Sequence, residues 1–291
     1  KLELFPVDAT ENTGDPAYEA AFTIDIAPEH LRRERAFLER TLASLRAIDA
    51  ATLSADERVT YELIAYDAAD RLAINGASLQ YLMPVGHMDC LPVRFGQWAS
   101  GSGSQPMKTA DNYEHFLARL KRLPEWIDQA IVNMRAGMKG GVTLPRALVE
   151  RTLPQLAGLV PATVDASPYL AGVNNFPDSV APARRAGLRA AYRQVVQQSV
   201  APAVQRLHAF MKEQYLPAAR TTAGIGSLPG GAQWYRAAVR SSTTTDMSAA
   251  QIHELGLREV ARIRGEMENV KHRLGFDGTL DALLRSIDTR P

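Results

Sequence analysis

The feature that most constrains this chain is the spacing of its apolar residues, which recur at three- and four-residue steps along most of its 291 positions. Such steps line up side chains on one stripe of an α-helix, whereas a half-buried strand alternates every second residue. After Ala27-Pro28-Glu29 the stripe is Leu31, Leu38, Leu42, Leu45 and Ile48, with arginine and glutamate between. Ser54-Ala55-Asp56-Glu57 is a capping box, in which the serine accepts from a first-turn amide while the glutamate reaches back. The helix behind it carries Tyr61, Ile64, Ala68 and Leu72 on one face and is expected to end near Asn75-Gly76.

Further helices follow the same logic. Thr109 is expected to cap one that buries Tyr113, Phe116, Leu117 and Leu120. Pro124 suits the first turn of another through Trp126, Ile127, Ile131 and Met134, closed by the glycines at 137, 140 and 141. Pro145 opens the next, which Pro154 kinks or splits, and a long helical region from about Pro182 to Tyr215 bends near Pro202. Ser248-Ala249-Ala250-Gln251 is a second capping box. Behind it Ile252, Leu255, Val260, Ile263, Met267, Val270 and Leu274 form a stripe that stops at Gly275.

Two stretches interrupt the helices. Residues 81–106 hold prolines at 84, 92 and 106 and the uncharged run Ser100-Gly101-Ser102-Gly103-Ser104, and read as a structured loop with room for a short strand pair. Residues 161–181 form a second irregular stretch. The fold expected is therefore mainly α, a multi-helix array or bundle with two long irregular loops. Residues 1–291 read as a single helical region, whose place for a subdivision is near 161–181.

Several function classes are excluded early. The formal net charge is +1, and arginine pairs such as Arg32-Arg33 fall inside helical stripes, so no nucleic-acid face is expected. No run of some twenty apolar residues exists to span a membrane. Cys90, the only cysteine, excludes an internal disulfide and a cysteine-rich metal site; with His87 three positions earlier it reads as a small buried residue, not a nucleophile. The string His253-Glu254-Leu255-Gly256-Leu257 has leucine where a zinc-binding helix needs its second histidine four residues on. His253 then makes a polar contact near a helix start or lines a cleft. Phosphate-loop and nucleophile-elbow patterns are absent as well.

One constellation carries possible chemistry. Trp234, Tyr235 and Arg240, followed by Thr243-Thr244-Thr245-Asp246, bring aromatic, cationic and hydroxyl groups into a short segment. Such groups grip a peptide-like or carboxylate-bearing ligand, and the competing reading is that the aromatics anchor a loop while Asp246 caps the next helix. The candidate substrate-binding residues are Trp234, Tyr235, Arg240, Thr245 and His253; no catalytic residue and no metal ligand is assigned.

The order of several motifs resembles the bacterial DUF885 family along nearly the whole chain. The carriers are Phe5-Pro6-Val7-Asp8-Ala9-Thr10, Asp111-Asn112-Tyr113 with Leu117-Ala118-Arg119-Leu120, Met138 to Arg146, Leu228-Pro229-Gly230-Gly231, Trp234-Tyr235, Thr243 to Ser248 and Ile252 to Leu257. The resemblance implies a helical architecture related to zinc oligopeptidases, with a His-Glu metal motif and a further acidic ligand in the C-terminal half of family members. Nothing here matches that motif, so the resemblance implies zinc for the full-length protein and no cofactor in this segment. It also implies that the chain is the N-terminal portion of a larger domain, lacking an initial helix ahead of the Phe5-Pro6 segment. The helical pattern that stops at Asp288-Thr289-Arg290-Pro291 agrees with that expectation. By the same resemblance the segment is a non-metal-binding part of a peptidase-like hydrolase, inactive alone, with a peptide-like substrate. A periplasmic or cell-envelope location follows from the family, with a cytoplasmic one also open. The rival reading is a non-catalytic helical binding or scaffold module.

Overall fold

Helix follows helix from Pro6 to Asp288 in the computed structural model, which describes residues 3–88 and 90–288. Among the described residues there is no strand, and the sole β-type contact is an isolated parallel bridge between Pro145 and Arg220. The chain divides into two compact units, residues 1–234 and 235–291. Residues 161–181 lie inside the first, where short 3₁₀ turns bury Tyr169 and Leu170. Residues 289–291, at which the helical pattern stops, are outside the described residues.

The first unit contains α1 (Pro6–Thr13), α2 (Pro28–Arg46), α3 (Ala55–Ala77), α4 (Leu91–Ala99), α5 (Ala110–Lys139), α6 (Arg146–Gly158), α7 (Ala171–Asn174), α8 (Pro182–Val195), α9 (Ala201–Phe210) and α10 (Leu216–Ala218). Both expected N-caps here form: Ser54 accepts from the Glu57 amide at 3.4 Å, and Thr109 accepts from the Asn112 amide at 3.3 Å. The strand pair that residues 81–106 had room for does not form. Pro92 sits in the first turn of α4, where its missing N–H has no intrahelical partner to lose, so it starts a helix instead of breaking one.

Pro124 differs from expectation in the same direction. It lies inside α5, which runs unbroken for 30 residues. An interior proline costs about 3 kcal/mol. Leu120, Leu123, Trp126 and Ile127 around it are at most 3% exposed, and burial of about 1.5–3 kcal/mol per large apolar side chain outweighs that cost. Pro154 likewise sits within a continuous α6. Pro202 and Pro217 act differently: each follows a π-helical turn, Val196–Val200 and Met211–Tyr215, where the widened ladder accommodates a residue that cannot donate.

The core is built on α5, which packs against α4, α8 and α9. Phe95 of α4 meets Phe116 at 5.7 Å and Phe22 at 5.4 Å between ring centroids. Buried phenols tie distant segments to backbone: Tyr192 donates to the Tyr113 carbonyl at 2.6 Å, Tyr169 donates to that of Pro92 at 3.0 Å, and Tyr215 accepts from the Leu144 amide at 2.8 Å. Gly137 lets α5 meet the turn that follows it, since a Cβ there would stand 2.6 Å from the Val142 carbonyl and 3.0 Å from that of Leu82.

A second row on α5 is polar and repeats every seven residues. Asn112 donates to Glu19 at 2.7 Å, Trp126 to Asp25 at 2.8 Å, and Asn133 to the Ile26 carbonyl at 2.8 Å. Between them Arg119, fully buried, donates to the carbonyls of Pro6, Tyr18 and Ala21, to Thr10 and to Gln105, over 2.7–3.2 Å. Seven residues are close to two helical turns, so the four side chains share one face. That face fastens residues 6–26 along the length of α5.

The second unit holds most of α11 (Gly231–Thr243), with α12 (Ala249–Arg273) and α13 (Leu280–Asp288). Ser248 caps α12, with Gln251 completing the capping box. Leu280 and Leu283 of α13 are buried, but no residue of α12 is. Leu257, Val260 and Leu274 are 58%, 59% and 66% exposed. Periodicity identifies the face that seeks cover, and it cannot say whether neighbouring residues supply that cover.

Candidate functional site

The expected ligand-gripping segment is helical as far as Thr243. Trp234 and Tyr235 lie on α11 with the division between units passing between them. Trp234 packs partly buried against the core of the first unit, as an anchoring aromatic would. In the second unit Tyr235 is 48% exposed and Arg240 pairs through Nε with Asp246 at 3.4 Å. The Thr245 hydroxyl lies 3.1 Å from that of Thr243 and accepts from the Met247 amide at 3.4 Å. Thr244, with φ of 54°, makes the left-handed turn that ends α11, and so holds the hydroxyls in a local turn. His253 is exposed near the start of α12. Cys90 is buried at the start of α4, and the carbonyl of His87 accepts from Gln155.

A well-formed concavity lies elsewhere, wholly within the first unit. It is a cleft of about 550 Å³ between the α2–α3 hairpin and α4 with α5. Leu31 and Leu38 of α2, Leu72 of α3, Leu79, Leu91 of α4 and Trp126 of α5 make its apolar lining. Charged groups stand around that lining: Arg32, Glu34 and Arg35 from α2, Arg94 from α4, and Asp25 from the segment fastened by the polar row of α5.

The sequence puts these groups there for local reasons. Arg32 and Arg35 are three residues apart on α2 and so lie on neighbouring ridges of one face. Arg35 pairs with Glu39 at 2.9 Å, and Glu34, nearly buried, pairs with Arg71 of α3 at 2.8 Å. Arg94 lies 5.7 Å from the ring centre of Trp98, and Arg32 has no partner among the described residues. Asp25 is solvent-exposed as a residue, yet protein is packed closely around its carboxyl. Burial raises its carboxyl above the ordinary carboxylate value, against the hydrogen bond from Trp126 and the charges of His30 and Arg94. His30 beside it is buried, its Nε2 has no partner among the described residues, and burial pushes its imidazolium toward lower pKa.

Chemically the cleft lining combines guanidinium groups, carboxylates and apolar side chains. It does not offer a metal site. Among the described residues no three histidine, cysteine or carboxylate side chains come together in a way that could hold a metal ion. None of the cleft groups was reached by motif reasoning, because no motif contains them. The seven-residue spacing of Asn112, Arg119, Trp126 and Asn133 was the available signal, since polar residues repeating inside a long apolar helix imply buried partners.

Comparison with known proteins places the chain more widely. The family model described as "Bacterial protein of unknown function (DUF885)" matches residues 6–291. A crystal structure described as that of "the putative lipoprotein from Colwellia psychrerythraea" is similar over 100% of this chain, with a TM-score of 0.77 and 20% sequence identity. At that identity the likeness is one of fold. This chain spans 52% of the length of that one, about half. No curated protein matches.

Proposed function

The chain belongs to the bacterial family of unknown function DUF885, and on that premise we propose that it is the non-metal-binding helical part of a zinc-dependent peptidase-like hydrolase, supplying one wall of the substrate cleft. The observation that carries the reading is α12. An amphipathic helix of 25 residues with no buried side chain presents an apolar stripe that its own unit leaves bare. A surface of that kind suits the inner wall of a larger helical body. Tyr235, Arg240, Thr245 and His253 belong to the same unit and would face the substrate in this reading, as would Trp234, their neighbour in sequence.

The residues present do not fit zinc. His253 has Leu257, not a second imidazole, one turn on, and no other group of ligands assembles among the described residues. The reading therefore assigns the metal, and the activation of water that it would supply, to polypeptide outside residues 1–291. A cell-envelope location is proposed with it, supported by the lipoprotein description of the similar structure.

The test compares this chain with the longer polypeptide of its source. Zinc content is measured by mass spectrometry, and turnover on a mixed oligopeptide library. The longer chain should hold stoichiometric zinc and cleave peptides, and residues 1–291 should do neither. Stoichiometric zinc or turnover in residues 1–291 would overturn the proposal, as would a zinc-free, inactive longer chain. The second reading, a helical binding module without chemistry, is favoured by the charged cleft of the first unit, which is complete without α12.

A further inference from the structure

We propose that the cleft between the α2–α3 hairpin and α4/α5 is a binding site for a small amphipathic zwitterion, an apolar amino acid or dipeptide with free ammonium and carboxylate ends. The inference stands on the first unit alone and holds whether or not the hydrolase reading does.

Three features specify the ligand. The first is that the lining carries both signs of charge. The guanidinium of Arg32, unpartnered among the described residues, shares the rim with those of Arg35 and Arg94 and suits a carboxylate. Asp25 suits an ammonium. Its Oδ1 is fixed by the Trp126 indole N–H at 2.8 Å, which orients the carboxylate. Asn75 to Leu79, where α3 ends, also line the cleft, and the carbonyl-rich end of a helix favours a cation. A simple anion would meet Asp25 and that helix end unfavourably, and a simple cation would meet Arg32. A zwitterion satisfies both.

The second feature is the floor. Leu31, Leu38, Leu72, Leu79, Leu91 and Trp126 have no polar group to offer except the indole N–H, which Asp25 already occupies. Apolar side chains on the ligand are therefore preferred to charged ones, which would be desolvated without a partner. The third feature is size. About 550 Å³ falls within the range of small-ligand sites and leaves room for one or two residues, not an extended chain.

The competing carboxylate Glu34 pairs with Arg71, and Arg35 with Glu39, so recognition of a ligand falls chiefly to Asp25 and Arg32. Burial that raises the Asp25 carboxyl is a second sign that a cation brought beside it would be welcome, since the arriving charge offsets that enclosure.

The probe is leucyl-leucine, titrated calorimetrically into the protein at low ionic strength beside its N-acetyl, C-amide and doubly capped forms. The free dipeptide should bind, and capping either end should weaken binding roughly tenfold or more, the scale of one charge-assisted contact. Arg32→Gln should weaken the free and N-acetyl forms while leaving the C-amide unchanged. Asp25→Asn, which keeps an acceptor for Trp126, should weaken the free and C-amide forms while leaving the N-acetyl unchanged. Indole fluorescence should shift with the free dipeptide. No binding at millimolar dipeptide, or equal affinity for the free and doubly capped forms, overturns the proposal. So does a variant that weakens all four forms alike.

Discussion

Arg119→Met tests the claim that the polar row of α5, not apolar burial alone, holds the N-terminal segment in place. Methionine keeps an unbranched chain in the same volume but removes every donor. Burial already lowers the Arg119 pKa to about 10, with the nearby Glu19 charge offsetting only part of that desolvation. Losing the charge relieves that term. Against it, the Ala21 carbonyl and the Gln105 amide oxygen lose their donor inside the protein, while the carbonyls of Pro6 and Tyr18 each lose one of two, keeping the Thr10 hydroxyl and the Ala21 amide. Two stranded acceptors cost about 1–3 kcal/mol each and the other lost charge-assisted bonds add to that, so the loss exceeds the relief and a net of roughly 2–5 kcal/mol is expected. Urea unfolding followed by far-ultraviolet circular dichroism measures it. Limited proteolysis locates it: new cleavage is expected between residues 6 and 26 before any elsewhere. A loss under about 1 kcal/mol, or first cleavage outside that segment, refutes the reasoning.

Three further outcomes follow from single contacts. Gly137→Ala should destabilise by about 2 kcal/mol or more, because its Cβ would press on two backbone carbonyls, whereas Gly187→Ala, in open space on α8, should stabilise by about 0.5–1 kcal/mol; thermal unfolding of the pair decides. Tyr215, pushed up to about 12, favours its neutral phenol when folded, so its contribution is full below pH 10 and is lost as pH rises from 10 to 12. That is about 2–3 kcal/mol, seen as ultraviolet tyrosinate absorbance that rises together with unfolding instead of before it. Ser54→Ala removes the cap of α3 and should cost about 1 kcal/mol, read as faster amide exchange in the first turn of that helix and not in α5.

How much of this was legible in the sequence depends on range. Caps were readable because both partners lie within three residues: Ser54 with Glu57, Thr109 opening α5, and Ser248 with Gln251 all formed where expected. The buried stripe Tyr113, Phe116, Leu117 and Leu120 was readable from periodicity. Prolines were read too locally. Pro124 looked like a helix start because local cost favours that position, and only packing from α4, α8 and α9, contributed by residues far along the chain, carries α5 through it. Trp234 to Thr245 read only as a short segment of aromatic, cationic and hydroxyl groups, with no helix assigned, yet α11 forms from Gly231.

The cleft was illegible for a more general reason. Asp25, Arg32, Arg94 and Trp126 come from a connecting segment and three helices, and no spacing rule links them. What links them is the row on α5. Trp126 belongs both to that row and to the cleft floor, and Asn133 holds the Ile26 carbonyl one residue beyond Asp25. The contacts that tie residues 6–26 to the core therefore also place the acidic end of the site. A polar residue inside an apolar helix stands at a desolvation cost unless something distant completes it. Four of them at seven-residue intervals imply a long, specific partner segment, and the residue at the edge of that segment is where a functional side chain can be held rigidly while still facing water.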